Sequence, residues 1–150
     1  LNKSISDKTG TSVLKYFKNN SGSGSLVNYF GKKSKSDMMH LYKSQFTYYN
    51  SENITFEELF NDVKKDDSII IKMDIQGYEP NILSHLYKYI DKYNISHCFF
   101  EVNEIEEKKM LETLKIFENK YFLKNLNNKI VESKTIHNYL KKILVLEKKL

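Results

Sequence analysis

Arginine and tryptophan are absent from this chain of 150 residues, and cysteine and proline occur once each. Without a guanidinium there is no rigid bidentate fork for phosphates or guanine edges, which argues against nucleic acid as a partner. All 24 basic residues are lysine and stand among 19 acids, so the formal charge of +5 reads as a solvated coat rather than an anion-binding face. Abundant Asn, Ile, Tyr and Phe fit the same AT-rich coding bias. Cys98, inside His97-Cys98-Phe99-Phe100, has no intrachain partner and reads as a buried, inert thiol, compatible with a reducing, cytoplasmic setting.

No apolar run approaches the ~20 residues of a membrane helix, and no signal-peptide core opens the chain, so a soluble segment with no membrane span is expected. His40, His85, His97 and His137 show no zinc-ligand spacing, and no metal site is expected. Neither a Walker-type loop nor a serine nucleophile elbow is present, which leaves nucleotide hydrolysis and hydrolase chemistry without support. The sequons at Asn2, Asn19, Asn53 and Asn94 arise readily by chance in a chain this rich in Asn and Ser.

The length fits one domain, short for a complete Rossmann-like enzyme, and a start at Leu1 suggests a piece of a longer chain. A short strand ends near Ile5, Ser6-Asp7-Lys8-Thr9-Gly10 forms a turn, and a second strand runs from Val13 to Phe17. Asn19 to Ser25 is poor in apolar side chains and reads as a loop within the domain. Residues 26–50 mix Tyr29, Phe30, Tyr42, Phe46, Tyr48 and Tyr49 with lysines and have no clean period. Thr55 with Glu58 makes a capping box before a helix predicted over Phe56 to Val63.

Ser68 to Asp74 is a continuous β-branched apolar run, which predicts a strand covered on both faces at the centre of a parallel sheet. Pro80 suits the first turn of a helix carrying Ile82, Leu83, Leu86, Tyr87 and Ile90 on one face, and His97 to Val102 follows as a second buried strand. A helix from about Ile105 to Asn119 turns Met110, Leu111, Leu114 and Phe117 inward, and Tyr121 to Val131 reads as an edge hairpin around Asn127-Asn128. In the tail, Ile136, Leu140, Ile143, Leu144 and Leu146 are spaced for an amphipathic helix, although fraying or packing on missing chain fits equally.

Reactive groups in open parallel sheets collect beyond the C-terminal ends of the central strands. The period of two puts Lys72 and Asp74 on one side of their strand, opposite Met73, so an ammonium and a carboxylate meet at the rim. A plain surface ion pair explains that spacing about as well as function does. Gly77 suits a tight turn. Glu79 stands at a helix start, where the dipole favours a carboxylate by roughly 0.3–1 kcal/mol, so a cap explains it without a substrate. Glu101 ends the neighbouring strand and could share a pocket with Asp74.

Three blocks in order resemble the FkbM family of S-adenosylmethionine-dependent methyltransferases: Ser4 to Gly10 with the later Ser21 to Leu26 stretch, Ile54 to Leu59, and Ile71-Lys72-Met73-Asp74-Ile75-Gln76-Gly77-Tyr78-Glu79-Pro80-Asn81-Ile82-Leu83 with Phe100-Glu101-Val102 after it. The third is the specific one. The resemblance implies an α/β fold: a partial Rossmann-like class I methyltransferase sheet, mostly parallel with an edge hairpin, its N-terminal strands missing. Residues 1–135 would be the C-terminal portion of that domain and 136–150 a helical tail.

By the same resemblance the chain takes S-adenosylmethionine and a small-molecule or glycan acceptor, and methylates a hydroxyl. Asp74, Lys72 and Glu101 would serve catalysis, Ser6, Asp7 and Asp74 the cofactor, and Gly77 and Glu79 the substrate. The family's Gly-rich first loop and ribose-binding acid find no match here, which predicts weak or no cofactor binding by this chain alone. A non-catalytic α/β module with a binding or structural role is the alternative.

Overall fold

The structure, a computed structural model, describes residues 3–17, 20–26, 46–75, 77–103 and 106–149. Most of the aperiodic stretch, including Tyr29, Phe30, His40 and Tyr42, lies outside the described residues, as do Asn19, Gln76, Ile105 and Leu150. The chain folds as two compact units, Leu1–Leu59 and Phe60–Leu150.

In the first unit, β1 (Ser4–Ile5), β2 (Gly10–Phe17), β3 (Asn20–Leu26) and β4 (Phe46–Ile54) form a sheet in the order β1-β4-β2-β3. β1 runs parallel to β4, whereas β2 is antiparallel to both β3 and β4. Gly10 begins β2 at φ 133°, a backbone angle that L side chains rarely adopt, so the turn from Ser6 needs glycine there. The Gly/Ser stretch expected as a loop is strand β3 instead. Ladder formation needs only backbone groups, and β2 supplies them, so a segment with little to bury still pairs as an edge strand.

The capping box forms as read: Thr55 N–H donates to Glu58 Oε2 at 2.9 Å, and Glu58 N–H to Thr55 Oγ1 at 3.4 Å. The helix it opens, α1 (Phe56–Leu59), is only four residues long and stops short of Val63.

The second unit holds the sheet β5 (Ser68–Met73), β6 (Asn94–Glu101), β8 (Ile143–Lys148) and β7 (Tyr121–Asn125), hydrogen-bonded in that spatial order. Its helices are α2 (Glu79–Leu86), which runs into a 3₁₀ turn at Tyr87–Tyr89, and α3 (Glu107–Phe117); a second 3₁₀ segment spans Ser133–Tyr139. Strand, α2 and strand make the expected parallel β5–β6 unit. The rest of the sheet is antiparallel, so the mostly parallel expectation gives way to a mixed sheet.

One face carries the core. Met73 pairs with Phe100, Phe100 with Leu144, Cys98 with Leu146 and Leu146 with Leu123, and all six side chains are buried. Phe117 of α3 meets Tyr121 edge-on at 5.6 Å between ring centroids on this face. Half-buried Ser84 of α2 and buried Thr113 of α3 share a 3.0 Å hydroxyl hydrogen bond, and Ile82, Leu83, Leu86, Met110 and Leu114 of the same two helices are buried. The other face is more open: Ile70 is 65% exposed.

β5 is therefore an edge strand with one exposed face, not a central strand covered twice. Isoleucine at both alternating positions hides this from the sequence, because a run apolar throughout has no polar side to betray. The larger correction is the tail, where Ile143–Lys148 is strand β8 between β6 and β7 rather than part of a helix. Its apolar spacing suits either form, but β6 and β7 offer ladder partners on both sides. The edge hairpin keeps its turn, with Asn128 at φ 61° and Val131 N–H donating to Leu123 O at 2.8 Å, yet β7 takes its main ladder from β8.

Among the described residues no helix is long and apolar enough to cross a membrane.

Candidate active site

The parallel register of β5 and β6 brings their C-terminal ends level. Met73 lies opposite Phe100, so Asp74 and Glu101 follow at the same edge of the sheet, one residue beyond the last paired positions. Strand alternation turns Met73 into the core and Lys72 to solvent. Lys72 Nζ stands 3.9 Å from Asp74 Oδ2, with both side chains more than half exposed, so the pair contributes about 1 kcal/mol or less to stability. Asp74 is exposed and Glu101 half-exposed.

Between Asp74 and α2 the chain makes a tight turn. Gly77 is buried with φ 95°, and Tyr78 O accepts the first α2 amides, Asn81 N–H at 3.0 Å and Ile82 N–H at 3.3 Å. Pro80 sits in the first turn of α2, as its missing N–H allows. Glu79 is 0% exposed. Its Oε1 accepts from Ile75 N–H at 2.9 Å and its Oε2 from Gly77 N–H at 2.7 Å.

Burial pushes the Glu79 carboxyl above its ordinary value, against the pull of the backbone amides, and the nearby Glu101 charge adds to the rise. Glu79 thus turns onto the backbone of its own loop, which is closer to the capping alternative than to an open substrate ligand.

Lys72, Asp74, Gly77, Glu79 and Glu101 all belong to one edge of the second unit. Ser6 and Asp7 belong to the first: Ser6 is buried, its N–H donates to Ile54 O at 3.0 Å and its Oγ to Asp7 Oδ1 at 3.2 Å, and Asp7 is exposed. Sequence reasoning missed Lys141 and Lys142. Lys141 N–H donates to Val102 O at 2.7 Å and Val102 N–H to Lys142 O at 3.1 Å, so the entry to β8 ties down the chain just past Glu101. Reading the tail as a helix hid them, and no local motif marks such a long-range backbone pair.

Cys98 is buried, and desolvation pushes its thiol up to about 12. Among the described residues no group of three or more His, Cys, Asp or Glu side chains could hold a metal ion.

A carboxylate rim on an exposed strand end, beside a glycine turn, can accept a proton from a bound hydroxyl and favours a cationic ligand. In comparison with known proteins, residues 2–142 match a family model described as the methyltransferase FkbM domain. No curated protein and no solved structure matches the chain.

Proposed function

The chain belongs to the FkbM methyltransferase family, and from that premise we propose that it transfers a methyl group from S-adenosylmethionine to a hydroxyl oxygen of a sugar or other small molecule, with Asp74 as the catalytic base. The observation that carries this reading is the exposed Asp74 closing β5, level with Glu101 closing β6, in a chain matched almost end to end.

The acidic rim fits the positive sulfonium of that cofactor in charge. When bound, S-adenosylmethionine supplies an electrophilic methyl for in-line displacement. In such a displacement the methyl–sulfur bond would break as the new C–O bond forms, leaving a neutral thioether, and the acceptor hydroxyl would pass its proton to the Asp74 carboxylate. Lys72, 3.9 Å away, orients Asp74, and Glu101 adds negative potential at the same edge. Gly77 at φ 95° allows the tight turn that follows Asp74. For Ser6 and Asp7 a cofactor role rests on the family resemblance alone.

The Gly-rich first loop and the ribose-binding acid belong, in this reading, to upstream sequence of the same polypeptide. Extending the reading frame should reveal a strand, a Gly-rich turn and an acidic strand end. Calorimetry of the extended protein with S-adenosylmethionine should then show binding, and Asp74→Asn should lower methyl transfer to sugar acceptors ~10²-fold or more. Unrelated upstream sequence, or full transfer by the D74N variant, would sink the reading.

The lack of a matching cofactor loop favours a second reading, a non-catalytic α/β module. Cofactor binding by the extended protein that is lost on substituting Asp74 would exclude it.

A further inference from the structure

A helix cap in its usual form is a small polar side chain at the water's edge that accepts from amides of its own first turn. Glu79 departs from that form in two ways: it is 0% exposed, and besides its own amide its oxygens accept from Ile75 and Gly77, which precede α2. The donors Ile75 and Gly77 lie one and three residues past Asp74, so one side chain ties the end of β5 to the start of α2. Gly77 at φ 95° supplies the backbone bend that aims its N–H at the carboxylate.

A carboxylate is a costly group to bury, and this one stands near Glu101, a charge of its own sign. Among the described residues no lysine or histidine forms an ion pair with it. What it offers in return is two acceptor oxygens on one planar group, which take the Ile75 and Gly77 N–H donors together with its own backbone amide. A glutamine of the same shape has one acceptor and would turn its NH₂ toward the second donor.

We propose that Glu79 is a positioning residue for Asp74: its carboxylate clamps the backbone of the turn after β5 and so sets the direction in which Asp74 leaves the strand. That this direction matters rests on the methyl-transfer reading; the clamp itself is a property of the fold.

The test uses the full chain labelled with ¹⁵N. In the wild type the Ile75 and Gly77 amide protons should resonate downfield and move together as pH is lowered, with one midpoint above 4.5, the ordinary glutamate value. In Glu79→Gln both amides should exchange with solvent at least tenfold faster, and the Asp74 and Ile75 order parameters should fall from about 0.85 to below about 0.6. The amides of Cys98 and Phe100 should keep wild-type protection.

Unchanged exchange at Ile75 and Gly77 in E79Q overturns the clamp, and so does an equal loss of protection at Cys98 and Phe100, which would make Glu79 a general core residue. Should E79Q fail to fold, the wild-type titration decides: independent movement of the two amides overturns the proposal. Full methyl transfer by D74N would remove the catalytic reading while leaving the amide signature in place, so the two failures are told apart.

Discussion

Phe100 and Leu144 lie opposite each other in the antiparallel β6–β8 ladder, and each is 0% exposed. Through this pair β8 extends the buried face of the sheet beside the strand that carries Glu101.

Leu144→Ala should cost about 2–4 kcal/mol, since it opens a cavity where neighbours cannot fully collapse. Ile70→Ala, on the exposed face of β5, should fall within about 0.5 kcal/mol of wild type. Urea unfolding of both variants checks the contrast. Similar costs would mean that the open face of β5 is covered, or that β8 is not in the core.

Gly77→Ala should destabilise the second unit by about 1–2 kcal/mol, because an L side chain at φ 95° is strained. Thermal unfolding is the measurement, and a variant as stable as wild type would refute the turn geometry.

The raised Glu79 carboxyl sets the sign of a pH dependence. Between 4.5, its ordinary value, and its higher folded value the native state binds more protons than the unfolded state. Its contribution to stability is therefore complete below 4.5 and is lost as pH rises through the folded value. Urea unfolding at a series of pH values, wild type against E79Q, isolates this group, and the difference between the two should decline with rising pH. A difference that stays flat or grows would contradict it.

Cys98 should be inert in the native chain. With its thiol pushed up to about 12, a disulfide reagent at mildly alkaline pH should label no protein until it unfolds, and then one thiol per chain. Fast native labelling would show that the β6 face is open.

Most individual elements were legible in the residues. The β-branched run gave away β5, Thr55 and Glu58 announced α1, Pro80 and the spacing of Ile82, Leu83 and Leu86 marked α2, and Asn127-Asn128 marked the edge turn. Lys72 and Asp74 on one side of a strand end followed from the period of two. Each of these signals is local, arising from dihedral preference, capping or side-chain alternation over a few residues.

Long-range pairing decided the rest. Residues 143–148 could coil or extend, and only ladder partners on both sides made them a strand; the Gly/Ser segment became β3 because β2 was there to pair with it. The depth of Glu79 had the same origin: sequence placed a carboxylate at a helix start, while burial and the approach of Ile75 and Gly77 made it a clamp. A side chain's neighbours in sequence set its conformational menu, but its exposure and its hydrogen-bond partners depend on segments that meet only when the chain has folded.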